Sequence, residues 1–271
     1  MVFFHRHFLF LPRKLRMRKR HSKFFYLNLC FVLWLIFIVS KIFLGQFGMD
    51  WLWYSIIAYL LLLVPGSIFI RLNFYMEAQH RLRLNDSSRP PAVALTFDDG
   101  PAAYTTAVLD ILQQEQVPAT FFLIGKNISG NEQIVERMHR EGHTIGNHSF
   151  NHGFNFDWQS ATKMEQEIVK TNAAIQQITG QPVALFRPPY GVTNPNLSRA
   201  LHRTGLQSIG WSVRSMDTVA KSDSRLIAKV MRSLKNGDII LLHDRCAITA
   251  RILPVLIQSI KEKGFHFVVI R

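Results

Sequence analysis

Two apolar runs follow one another near the start of the chain, Phe24 to Leu44 (FFYLNLCFVLWLIFIVSKIFL) and Trp51 to Ile70 (WLWYSIIAYLLLLVPGSIFI). A helix rises ~1.5 Å per residue, so some twenty such residues reach about the ~30 Å of a bilayer's hydrocarbon layer. Trp51, Trp53 and Tyr54 gather at one end of the second run, where interfacial aromatics anchor a span. Lys41 lies close enough to the end of the first run to snorkel, and Pro65 and Gly66 are tolerated inside a membrane helix. The first run is too long for the apolar part of a cleaved leader, and no small-x-small site follows it. The pattern predicts an uncleaved two-helix membrane anchor over 24–70; a buried core hairpin is the other arrangement such runs can adopt.

Charge sharpens this reading. The chain carries a formal +14, and Arg6, Arg13, Lys14, Arg16, Arg18, Lys19, Arg20 and Lys23 put more than half of it into residues 1–23, a basic arm without a single acid. The loop Gly45 to Asp50 has no lysine or arginine, whereas Arg71, Arg81, Arg83 and Arg89 follow the second run. The excess of positive charge at both ends places arm and remainder on the cytoplasmic side of a two-span membrane protein, unless the Pro65 helix is re-entrant. Nucleic acid is not expected as a partner, because the arm abuts a span and brings no stacking or base-reading module. Cys30 and Cys246 are too few for a disulfide scaffold or a four-cysteine zinc site.

Residues 71–90 turn polar and end in Asn85-Asp86-Ser87-Ser88 and Pro90-Pro91, a linker composition. A domain is expected over 91–271. Candidate strands at 92–97, 119–124, 143–147, 184–187, 207–212, 238–243 and 265–270 alternate with candidate helices at 104–116, 130–141, 159–179, 196–204, 223–235 and 248–263. Such alternation implies parallel strands with right-handed crossovers. About seven units can close into a (β/α) barrel with helices outside, an open doubly wound sheet being the alternative. In either case functional groups collect where strands end.

The polar residues obey that rule. Asp98 and Asp99 end the first strand in Thr-Phe-Asp-Asp-Gly-Pro, where one carboxylate can bind a cation while the other handles a proton. His148 and His152 follow the third strand four residues apart; on a helical turn they would face the same way and share a metal ion. One carboxylate and two imidazoles leave coordination positions open, as at a catalytic zinc site. His243, ending Asp-Ile-Ile-Leu-Leu-His, is placed to protonate a leaving group. Arg187 ends a buried strand in Arg-Pro-Pro-Tyr-Gly and needs a carboxylate partner, for which Asp98 is the choice; Asp217 can tether either Arg187 or His243. The backbone N–H of Tyr190 can support an oxyanion. Trp211 offers an aromatic face or core packing, and Phe154, Phe156 and Trp158 either line a groove or pack their loop.

In their order these residues resemble the motifs of the polysaccharide deacetylases, carbohydrate esterase family four, whose catalytic unit is the NodB homology domain. The resemblance spans about Pro91 to Ile270. It implies a distorted (β/α)7 barrel of the NodB type, here preceded by two transmembrane helices, and metal-dependent removal of acetyl groups from N-acetylhexosamine units of a glycan such as chitin, peptidoglycan or a lipid-linked sugar. By the same resemblance Asp98 is the catalytic base, and Asp99, His148 and His152 bind the divalent metal, expected to be zinc. Arg187 and Tyr190 belong to the third motif, Asp217 to the fourth, and Leu241 and His243 to the fifth, with His243 the general acid. The fourth motif departs from the family's Asp-x-x-Asp-Trp: Arg214-Ser215-Met216-Asp217-Thr218 lacks one aspartate and the tryptophan. A carbohydrate-binding pseudoenzyme, or a metal-dependent hydrolase of another amide, ester or phosphate ester, would share much of this pattern.

Overall fold

The structure, a computed structural model, describes residues 22–84 and 90–271. Residues 1–21 of the basic arm and residues 85–89 of the expected linker lie outside the described residues. The two apolar runs form helices α1 (Lys23–Phe43) and α2 (Asp50–Ile68). Both are long and apolar enough to cross a membrane and are largely exposed. Helix α2 continues unbroken through Pro65. They pack as an antiparallel pair: Phe31 stacks on Tyr59 with ring centroids 4.0 Å apart, and Trp34 Nε1 and Tyr59 Oη donate to Ser55 Oγ and Asn28 Oδ1 at 2.9 and 2.7 Å.

The segment expected as a linker does more than connect. After a helical turn at Ile70–Leu72 it forms strand β1 (Ala78–Gln79), which pairs with a strand of the main sheet. The remaining strands are β2 (Ala92–Gly100), β3 (Thr120–Leu123), β4 (Thr144–Asn147), β5 (Leu185–Phe186), β6 (Gln207–Ile209), β7 (Val213–Arg214), β8 (Ile239–His243) and β9 (His266–Phe267). Between them lie α3 (Thr105–Glu115), α4 (Glu132–Arg140), α5 (Ala161–Thr179), α6 (Pro195–Thr204), α7 (Asp223–Ser233) and α8 (Ala247–Glu262). The sheet runs β1-β6-β5-β4-β3-β2-β8-β7, all parallel, with β9 against the start of β2. An antiparallel bridge between Arg81 and Asp238 draws the β1 end toward β8, so the sheet curls into a distorted barrel.

The single strand expected at 207–212 is two strands. Residues 207–209 pair with β5 and β1, the chain bends at Ser212, and 213–214 pair with β8, so one continuous segment serves both sides of the curl. A run of apolar and polar residues cannot display such a change of partner.

Side-chain alternation along the strands assigns the site residues to the barrel interior. On β2, Val93, Leu95 and Phe97 pack outward against the helices in the main core, while Ala94, Thr96 and Asp98 face inward. On β8, Ile240 and Leu242 join that outer core and Ile239 and Leu241 join the inner cluster, which leaves His243 inward at the strand end. The parallel register sets Asp98 beside His243. On β5, Leu185 is inward and Phe186 outward, so Arg187 turns inward again.

Candidate active site

The site lies at the carboxyl ends of these strands. Between Asp98 and Gly100 the β2–β3 register shifts, and Asp99 takes a left-handed φ of 76°. In a regular strand adjacent side chains would diverge; the irregularity re-aims Asp99, so that Asp98 Oδ2 and Asp99 Oδ1 stand 3.7 and 3.6 Å from His148 Nε2. Gly100 is required by packing, since a Cβ there would lie 2.3 Å from the carboxylate of buried Asp244.

His148 and His152 are not on a helical turn, contrary to the expectation from their spacing. They belong to a loop after β4 in which Ser149 (φ 65°) and His152 (φ 50°) are left-handed. The rings nevertheless converge, with centroids 4.7 Å apart. Glu167 of α5 holds the loop by accepting from the backbone N–H groups of Phe150 and Asn151 at 3.2 and 2.9 Å, and Asn147 Oδ1 accepts from Ser149 N at 2.8 Å. His148 Nδ1 donates to the carbonyl of Arg187 at 2.7 Å, which leaves Nε2 as the free lone pair facing Asp99. Asp99 Oδ1 is also 3.6 Å from His152 Nε2.

One ligand atom from each of Asp99, His148 and His152 lies within 4.8 Å of the other two. Two ligands at about 2.1 Å on one tetrahedral ion stand about 3.4 Å apart, close to the 3.6 Å that separates Asp99 Oδ1 from each imidazole, so the donor set suits a single divalent metal. Burial and the neighbouring His148 push the His152 pKa down to about 4 against the pull of Asp99 and Asp98, so at neutral pH His152 is in the ligating, neutral form. Burial works against ionising Asp99, but His148, His243, His152 and a hydrogen bond from Arg245 outweigh it and hold its carboxyl below the usual value. Arg245 Nε donates to Asp99 Oδ2 at 2.6 Å. Sequence reading missed this residue; its only signal is a cation two positions after His243.

Arg187 is fully buried. Its Nη1 donates to Asp98 Oδ1 and to Thr96 Oγ1, both at 2.7 Å, its Nη2 donates to Gly210 O at 3.0 Å, and its guanidinium lies 4.1 Å from the Phe122 ring centroid. Asp217 tethers His243, not Arg187. Asp217 Oδ1 is 2.8 Å from His243 Nδ1, and Oδ2 accepts from His243 N at 2.7 Å and Thr249 Oγ1 at 2.6 Å. Burial depresses the His243 pKa, but the Asp217 hydrogen bond and the charges of Asp98, Asp217 and Asp99 prevail and raise it.

Tyr190 is half-exposed, left-handed at φ 56°, and its ring centroid stands 4.8 Å from that of His152. Trp211 does not present an open face. It is buried beneath the Tyr190-Gly191 turn, where a Cβ on Gly191 would strike the ring at 2.3 Å. Leu241 is buried in the same inner cluster. Phe156 is core, whereas Phe154 and Trp158 are 88% and 87% exposed. Asp99, Ser149, His152, Tyr190 and Met216 are left-handed non-glycine residues, and all five flank this site, as stored backbone strain does at functional centres.

Fold and site together define a barrel of the carbohydrate-esterase type with a candidate Asp-His-His metal site. A family model for polysaccharide deacetylase matches residues 85–209. The peptidoglycan-N-acetylglucosamine deacetylase of Bacillus cereus is 36% identical over 188 residues, 66% of this chain and 85% of its own length. The peptidoglycan-N-acetylglucosamine deacetylase PgdA of Listeria monocytogenes is 36% identical over 179 residues, 66% of this chain. The chain spans just 38% of the length of PgdA. A solved structure of a peptidoglycan N-acetylglucosamine deacetylase in complex with 4-naphthalen-1-yl-N-oxidanyl-benzamide superposes with a TM-score of 0.66 at 31% identity, covering 71% of this chain and 90% of that one. The chain belongs to the polysaccharide deacetylase family.

Proposed function

We propose that the domain hydrolyses the acetamide of an N-acetylhexosamine unit in a glycan, releasing acetate and a free amine. The observation that carries this reading is the convergence of a buried, arginine-held carboxylate (Asp98), an Asp99-His148-His152 ligand set and an aspartate-backed imidazole (His243) at one rim of the barrel. Two nitrogens and one oxygen suit zinc. A bound divalent ion supplies Lewis acidity toward the acetyl carbonyl and a water more easily deprotonated.

The chain's own residues do the rest. Arg187 occupies Asp98 Oδ1 and leaves Oδ2 on the His148 side, oriented to take the proton of the attacking water. The Tyr190 N–H serves the oxyanion that forms as the carbonyl becomes tetrahedral. His243 then protonates the nitrogen as the C–N bond breaks. Its backing by Asp217 fixes the ring and favours the protonated form that this step needs.

Helices α1 and α2 are read as the membrane anchor. Lys23 Nζ donates to Leu72 O at 2.7 Å and Phe24 N to Phe74 O at 3.0 Å, so the start of α1 is tied to the segment that leads from α2 into the catalytic domain. With the basic arm at that end and an uncharged 45–49 turn at the other, the charge distribution supports a cytoplasmic domain. The test of function is acetate release from chitin oligomers, peptidoglycan and lipid-linked acetamido sugars. Asp98→Asn should lower turnover by about 10²- to 10⁴-fold; equal turnover by parent and variant removes Asp98 from its role.

A further inference from the structure

The hairpin meets the catalytic domain at its open end, and that end sits on the site side of the barrel. Thr193, which follows the Tyr190-Gly191 turn, donates from its N–H to Ser67 O at 3.0 Å and from Oγ1 to Gly66 O at 3.4 Å. Arg71 Nε donates to Trp211 O at 2.9 Å, and its Nη2 donates to Ser212 O, both just past the end of β6. From Thr193 to Tyr190 is at most about 10 Å of chain. The rim of the site is therefore fastened to the place where α2 ends, which on the anchor reading is the edge of the hydrocarbon layer.

A second observation lies on the same rim. Phe154 and Trp158, two large aromatics four residues apart, protrude into solvent from the loop that carries His152. That loop is tied to the same segment: Asn194 Nδ2 donates to Asp157 O at 2.8 Å and Asn196 Nδ2 to Gln159 O at 2.9 Å. The end of α2, residues 193–196 and the loop with its two aromatics thus form one hydrogen-bonded surface. Phe69, between Ser67 and Arg71, is 60% exposed on it. Aromatics at this level occupy the headgroup zone of a bilayer.

We propose that the site faces the bilayer, with Phe154 and Trp158 in the headgroup layer, and that its substrate is an N-acetylated amino sugar carried on a membrane lipid. This rests on the deacetylase and anchor readings above and goes beyond them by naming how the sugar is presented. A sugar held by a lipid arrives at the depth where the rim lies, and stays there without paying diffusion in the third dimension; a soluble oligosaccharide has no such advantage.

The test uses the full chain reconstituted in phospholipid vesicles, with one acetamido sugar offered in two forms, on a polyprenyl carrier in the vesicle and as a water-soluble glycoside. The parent should favour the carrier-linked form, and the double variant F154S/W158S should lose about tenfold or more on that form while turning over the soluble one unchanged. A second arm reads position alone: a fluorophore on Phe154→Cys, in a C30A/C246A background, should be quenched by brominated lipid. Equal use of both forms, or no loss in the double variant, overturns the proposal. An unquenched fluorophore overturns it too. Quenching without turnover of either form sinks the deacetylase reading, and the substrate assignment with it, while leaving the rim at the membrane.

Discussion

Both oxygens of Asp217 are engaged, one by the ring and the other by the backbone of His243, and this pairing governs how the site should respond to pH. A general acid works only while protonated, so with His243 as the acid turnover should fall as pH rises through its pKa. Asp217 raises that pKa, which should extend activity toward alkali. In Asp217→Asn the His243 pKa drops, so the alkaline limb of the kcat/KM profile should move to lower pH; an unmoved limb shows that His243 is not the acid. At this scale the sequence was informative about identity and less so about partnership. Adjacent Asp98 and Asp99, buried Arg187 and His243 announced themselves by residue type at strand ends. That Asp217 serves His243 and not Arg187, and that Arg245 grips Asp99, depends on loops meeting across the barrel mouth, which spacing does not encode.

Among the elements, the alternation of strands and helices was legible because each has a period that its buried face imposes. Parity along β2, β5 and β8 even fixes which residues look inward. Two features were hidden for physical reasons. The segment after Gln207 changes sheet partners between Gly210 and Ser212, and a change of partner leaves the hydrophobic period intact. The four-residue spacing of His148 and His152 suits a helical turn, yet left-handed Ser149 and His152 bring the rings together in a loop. Glu167 carries that loop through charge-assisted bonds to two backbone N–H groups. Glu167→Ala should cost about 1–3 kcal/mol in denaturant unfolding and weaken metal binding; full affinity in the variant would show that the loop holds its form without this contact.

For the whole molecule, the hairpin joins a membrane reading to a catalytic one. Its end at α2 bonds to the domain, and the polar segment expected as a plain linker contributes β1 to the sheet, which ties hairpin and barrel together at the rim. If that body is cytoplasmic, alkaline phosphatase fused after residue 90 will be inactive in a bacterial host, and activity there reverses the sidedness. All of this depends on distant side chains meeting at one ion. Counting bound divalent metal and released acetate in the same purified samples, full chain against His148→Ala/His152→Ala, addresses that directly. One ion per chain with acetate release from a soluble N-acetylglucosamine oligomer, both lost in the variant, is the predicted result; a variant that still binds its ion or still releases acetate at the parent's rate contradicts it.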